Sequence, residues 1–142
     1  MATANLVCYL EYISGQPPLN IGQSAPISIT SQTVKHLGTY SLATATNKVV
    51  LNVGTASTSD IADFDIFVLL ADQDLSVEII GSVTANNSNI KSKANIPLIL
   101  GYSKTRVYDA AGAFAGALED ISTITIRNDS GSTSTVQVFA SS

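Results

Sequence analysis

The chain has 142 residues, 45% of them apolar and 13% charged, with a formal net charge of −4. That length and apolar content suit one folded domain with a real core and exclude a disordered chain. The acidic balance excludes a basic surface for nucleic acid, since the seven Lys and Arg are too dispersed to line a phosphate groove.

With so few charges, solubility rests on 18 Ser and 14 Thr, residues suited to turns and to the wet face of a sheet. The opening MATANLVCYLEYISG lacks the basic region of a signal peptide, and no apolar run approaches the ~18 residues of a membrane span. Cys8 is the single cysteine, which excludes an intramolecular disulfide.

No window keeps an i, i+3, i+4, i+7 apolar stripe with caps, so little or no helix is expected. Short Val-, Ile-, Thr- and Tyr-rich runs instead recur about every ten residues between Gly, Pro, Asn, Asp and Ser. In chain order the expected strands are Leu6–Ile13, Ile27–Val34, Thr39–Thr44, Lys48–Val53 and Phe64–Ala71. Leu75–Gly81, Asn89–Lys93, Ile96–Gly101, Ile121–Asn128 and Thr135–Phe139 follow. About 8–10 short strands without helices predict an all-β, antiparallel β-sandwich of jelly-roll type. One domain over residues 1–142 is expected, with residues 1–18 as an N-terminal edge strand or arm that ends where Pro17–Pro18 forbid ladder bonds.

Two hairpins are expected from register. Ile124 and Ile126 would share a face with Val136 and Val138 across a loop at Ser130–Gly131–Ser132. Leu70, Val68 and Ile66 would face Leu75, Val77 and Ile79 across a turn at Asp72–Gln73.

The stretch DFDIFVLLADQDLSVEII (63–80) carries two Asp-x-Asp pairs. They lie seven or more residues apart along a strand, about 20 Å at roughly 3.3 Å per residue, so the pairs cannot share one ligand. Each alone has too few ligands for a hard cation, and the spacing reads as strand-end and turn carboxylates. Between them, Phe64, Ile66, Val68 and Leu70 make one face apolar, and Phe67 and Leu69 the other. A strand wet on one side should alternate, so this one is covered twice, by a loop or by another subunit.

Catalytic chemistry finds no support. His36 is the only histidine, no Gly-x-Ser-x-Gly elbow is present, and one Cys with one His falls short of a zinc site. GAFAG at Gly112–Gly116 lacks the lysine of a phosphate loop and reads as a flexible loop with Phe114 as an apolar plug. The sequons at Asn86 and Asn128 read as turn chemistry. With no Trp platform, glycan binding is the weaker alternative. No cofactor, metal, small-molecule substrate, nucleic-acid or membrane partner is expected.

KANIPLILGYSK (93–104) and DISTITIRNDSGSTSTVQVF (120–139) together resemble the small β-sandwich structural proteins of tailed-bacteriophage virions, particularly head decoration or cement proteins. The resemblance implies a non-enzymatic protein made in the host cytoplasm that binds the major capsid protein on the outer shell. It also implies a homo-oligomer, with a trimer favoured. The competing reading is a carbohydrate- or receptor-binding module of a fibre or surface protein. The candidate interface residues are Leu6, Tyr9 and Tyr12 in the N-terminal segment, Phe67 and Leu69 in the doubly apolar strand, and Phe114.

Overall fold

Branched side chains pack on a pleated surface and Asn, Asp, Gly and Ser reverse the backbone, so this sequence resolves into strands and tight corners. The computed structural model describes residues 4–6, 9–12, 19–22, 27–29, 34–82, 87–101, 103, 106–108 and 117–142. Among these there are fourteen strands and no helix, hence none long and apolar enough to cross a membrane.

The chain divides into two compact units, Met1–Thr33 and Val34–Ser142. In the first, β1 (Ala4–Leu6) pairs antiparallel with β4 (Ile27–Ile29), and β2 (Tyr9–Tyr12) with β3 (Leu19–Gly22). The run expected as one strand from Leu6 to Ile13 is thus split between β1 and β2. Pro17–Pro18 precede a further strand, β3, rather than ending the segment's pairing.

The second unit holds the sandwich. Its strands are β5 (Val34–Leu42), β6 (Asn47–Asn52), β7 (Ile66–Ala71), β8 (Leu75–Gly81) and β9 (Asn87–Ser92). Then come β10 (Leu98–Leu100), β11 (Arg106–Tyr108), β12 (Ala117–Glu119), β13 (Ile121–Asn128) and β14 (Ser134–Ser141). Two four-stranded antiparallel sheets are ordered β10-β7-β14-β5 and β6-β13-β8-β9, while β11 and β12 pair separately. Within the two large sheets only β8 and β9 are neighbours in both sequence and space. Every other connection crosses between sheets, which is the jelly-roll arrangement expected from the composition.

Both expected hairpins are overturned by this order. β13 lies between β6 and β8, and β14 between β7 and β5, so Ile124 and Ile126 meet Val136 and Val138 across the core instead of along one sheet. β7 and β8 likewise belong to opposite sheets. The inward β8 row is Leu75, Val77 and Ile79, and the β7 row facing it is Phe67, Leu69 and Ala71, the reverse of the expected parity.

The core is therefore built from alternate residues of both sheets: Leu51, Leu75, Val77, Ile124 and Ile126 from one, Phe67, Leu69, Val136 and Val138 from the other. Phe64 sits just before β7 with its ring 6.0 Å from that of Phe67 at 46°, a tilted aromatic pair completely enclosed. Phe67 and Leu69 were expected at an interface. Both are fully buried within the chain, because their strand presents that parity to the opposite sheet, and neither is available to another molecule.

One open side of the sandwich, where β5 and β6 run along the edges of the two sheets, is closed by a local device. Gly38 leaves room for the Tyr40 ring to fold back over the backbone, and a side chain at Gly38 would collide with it. Lys48 Nζ then sits 4.7 Å from the Tyr40 ring centroid. Burial, and secondarily the Asp60 carboxylate, raise the Tyr40 phenol above its ordinary pKa, so it stays neutral under Lys48.

Candidate functional site

The two outer faces of the sandwich differ in chemistry. On the β6-β13-β8-β9 sheet, register aligns Asn47, Arg127, Ser76 and Lys91 in one outward row. A second row holds Val49, Thr125, Glu78 and Asn89. This face is polar apart from Val49 and Ile80, and a shallow hollow of about 200 Å³ lies among Asn47, Ser76, Glu78 and Arg127. Asp129 gathers its charges. Its carboxylate accepts from Ser76 Oγ and from Lys91 Nζ at 3.1 Å, and pairs with Arg127 Nε at 2.7 Å. Lys91 Nζ also donates to Ser76 Oγ at 2.8 Å.

The β10-β7-β14-β5 sheet carries an apolar row beside the exposed Thr39, Ser41, Thr135 and Gln137. Ile99, Val68 and Phe139 stand in one cross-strand row, with Leu37 of β5 next in register, and Leu70 stands beside the row opposite Gln137. Leu70 and Ile99 are each 37% exposed, and Ile96, just before β10, is 57% exposed. An apolar row across several strands is the unusual feature, since isolated exposed apolar residues are ordinary. The doubly apolar strand expected from the sequence is β7, but its uncovered side is Val68 and Leu70.

Of the other candidate residues, Leu6 stands opposite Ile27 in the β1–β4 ladder, Tyr9 opposite Gly22 and Tyr12 opposite Leu19. Phe114 and Cys8 lie outside the described residues, as do the Gly112–Gly116 loop and Asn86. His36 occupies β5 opposite Ala140.

One end of the sandwich carries four sheet-crossing corners: residues 43–46, 72–74, 93–97 and 129–133. Polar side chains tie them together. Asp72 Oδ1 accepts from Thr135 N at 2.8 Å and from Ser134 Oγ at 3.0 Å. Asp74 accepts from Ala94 N at 2.9 Å and pairs with Lys93 at 2.8 Å. Asn128, completely buried, donates to Leu42 O at 2.9 Å and Ser132 O at 2.8 Å. Its Oδ1 accepts from Ser130 N and Ser130 Oγ. Asn128 therefore locks two corners at once, a larger role than the turn residue expected from its sequon. Asp72 and Asp74 are turn carboxylates, as their spacing suggested.

These donors hold the carboxylates below their ordinary pKa: the Thr135 amide chiefly for Asp72, Lys93 for Asp74 and the Ser76 hydroxyl for Asp129. A depressed folded-state pKa contributes stability that is complete above the unfolded-chain value and is lost as pH falls through the folded one. Thermal melts are thus expected to hold steady near neutrality and to decline below about pH 4. The Asp72→Asn variant should show a shallower acid decline, and an unchanged decline would contradict this role.

Among the described residues no group of three or more His, Cys, Asp or Glu is placed to hold a metal. Compared with protein-family models, curated proteins and solved structures, the chain matches nothing in any of the three.

Proposed function

We propose that this chain is a non-enzymatic structural protein of a virion that decorates or cements a phage capsid by binding the major capsid protein. The observation that carries the reading is the outward apolar row Ile99–Val68–Phe139 with Leu70, on a sandwich whose other broad face is mostly polar, with Val49 and Ile80 its apolar members. A molecule that must sit on a shell needs one face to bury and another to leave in water, and this division supplies both. The tied corners support the same reading. Their carboxylates are engaged in holding strands together, which suits a rigid scaffold. The segments 93–104 and 120–139, which carry the resemblance to decoration proteins, supply β10 and β13–β14 of this frame.

On this reading the protein acts at the capsid surface as a homo-oligomer, a trimer being favoured, with Leu70 and Ile99 inside the buried patch. The test is light scattering on the purified chain together with co-sedimentation on isolated capsid shells. A discrete oligomer that pellets with shells is expected. Leu70→Glu combined with Ile99→Glu should abolish pelleting while leaving the chain folded, at a cost of about 1–3 kcal/mol, since both side chains are 37% exposed. A wild-type monomer that pellets with no shell, or a double variant that pellets like wild type, would overturn the proposal.

A further inference from the structure

Three outward rows stand side by side on the β10-β7-β14-β5 sheet. Ile99, Val68 and Phe139 form the first, and Leu70 lies opposite Gln137 in the second. Thr39 continues the second row across β5, and Thr135 opposite Ser41 makes the third. Apolar side chains thus give way to exposed amide and hydroxyl groups, and no Asp, Glu, Lys or Arg stands among them. The corresponding rows of the opposite sheet carry Arg127, Lys91 and Glu78.

The charges of the sandwich are engaged away from these rows. Arg127 and Lys91 gather on Asp129, Asp74 pairs with Lys93 at 2.8 Å, and Lys48 stands over the Tyr40 ring. One carboxylate reaches the rim of the face, where Asp72 shares a hollow with Leu70, Thr135 and Gln137. Its Oδ1 already accepts from Thr135 N at 2.8 Å and from Ser134 Oγ at 3.0 Å.

We infer that the surface this face docks against is itself uncharged, an apolar strip of the capsid protein bordered by neutral hydrogen-bonding groups. The inference rests on the docking reading and names the chemistry of its partner. A carboxylate or ammonium buried against Val68 or Phe139 would lose its water and meet no counter-ion, so a charged partner surface is a poor fit. Neutral groups fit the border, since the Gln137 amide and the Thr39 and Ser41 hydroxyls each present donors and acceptors. Attachment is then driven by withdrawing apolar surface from water, and salt has no ion pair to screen.

The test is co-sedimentation of the full chain with isolated capsid shells as NaCl rises from about 0.05 to about 0.5 M. The Kd should change by less than about threefold over that range, and sodium sulfate should tighten binding. Gln137 is exposed, so Gln137→Lys and Gln137→Glu should both fold, as thermal melts would verify. Each should weaken pelleting by about tenfold or more, whatever the sign of the charge, while Gln137→Met stays within about threefold of wild type. A charged variant that binds tighter than wild type would reveal the opposite charge on the partner and overturn the inference. Charged variants that both bind like wild type would place Gln137 outside the contact and overturn it too. A Kd that weakens tenfold or more with NaCl would overturn this inference and leave the docking reading standing, whereas a wild type that pellets at no salt concentration would sink both.

Discussion

Replacing Phe67 with alanine is expected to destabilise the sandwich by about 3–5 kcal/mol, the usual cost of deleting an enclosed aromatic ring. The ring is fully buried, packs against Phe64 and sits between the two sheets, so its removal opens a cavity that neither sheet can close alone. For a domain whose total stability is about 5–15 kcal/mol, this loss is a large fraction of the whole. Urea denaturation would read it as a midpoint lower by roughly 2 M with little change in slope. Leu70→Ser, three residues further along the same strand and 37% exposed, should move the midpoint much less and weaken the proposed assembly instead. If Phe67→Ala left stability intact and abolished assembly, Phe67 would be an interface residue after all and the assignment of β7's two faces would be reversed.

Asn128→Ala is the second large effect, with an expected cost of about 3 kcal/mol. The amide donates to carbonyls of two separate corners and accepts from Ser130 twice. Truncation leaves the buried Leu42 O without this donor, at a cost of about 1–3 kcal/mol, while Ser132 O, on an exposed residue, keeps Ser130 Oγ at 2.8 Å. The backbone of Asn128 also bonds the 43–46 corner, accepting from Ala45 N at 2.7 Å and donating to Thr46 O at 3.2 Å. These bonds survive truncation, so the cost stays below full loss of the corner. Asn128→Asp sharpens the test. It removes the two donations and turns a carboxylate toward carbonyl oxygens, which raises the introduced group's folded-state pKa. The variant should therefore be at least as unstable as Asn128→Ala near neutrality and recover part of the difference as pH falls. Denaturation at pH 7 and pH 5 would reveal the crossing, and a variant as stable as wild type at both would refute the amide's role.

How much of this could be read from the chain follows from what periodicity encodes. Ile121–Asn128 and Leu75–Gly81 were legible to the residue, because alternation of branched residues against Ser, Thr and Glu marks a half-buried strand whatever its neighbours. Pairing was not legible. Ile124 and Val136 alternate in the same phase whether they lie side by side in one sheet or opposite each other across a core, and a short Asn-Asp-Ser-Gly corner serves either arrangement. The contacts that distinguish them, Asn128 to Leu42 and Asp72 to Thr135, join residues more than 60 positions apart.

The outward side of β7 was hidden for a related reason. Phe64 to Leu70 is apolar on both parities, so nothing local says whether Phe67 or Val68 faces the opposite sheet. Leu19–Gly22 was missed because two prolines immediately before it argue against a strand.

The scarcity of hairpins in the sandwich also bears on how it comes to exist. Apart from β8 and β9, every ladder in the two large sheets joins strands that are not consecutive. Each must wait for a long loop to close before any bond rewards it, so the search is slow, with folding on the order of milliseconds to seconds. The β8–β9 hairpin is the cheapest place to begin. Once the later strand β14 has inserted between β5 and β7, and β13 between β6 and β8, none of the three-strand arrangements can open from a free end. Persistence then comes from the difficulty of withdrawing an interior strand, a property that matters most to a component assembled once and left in place.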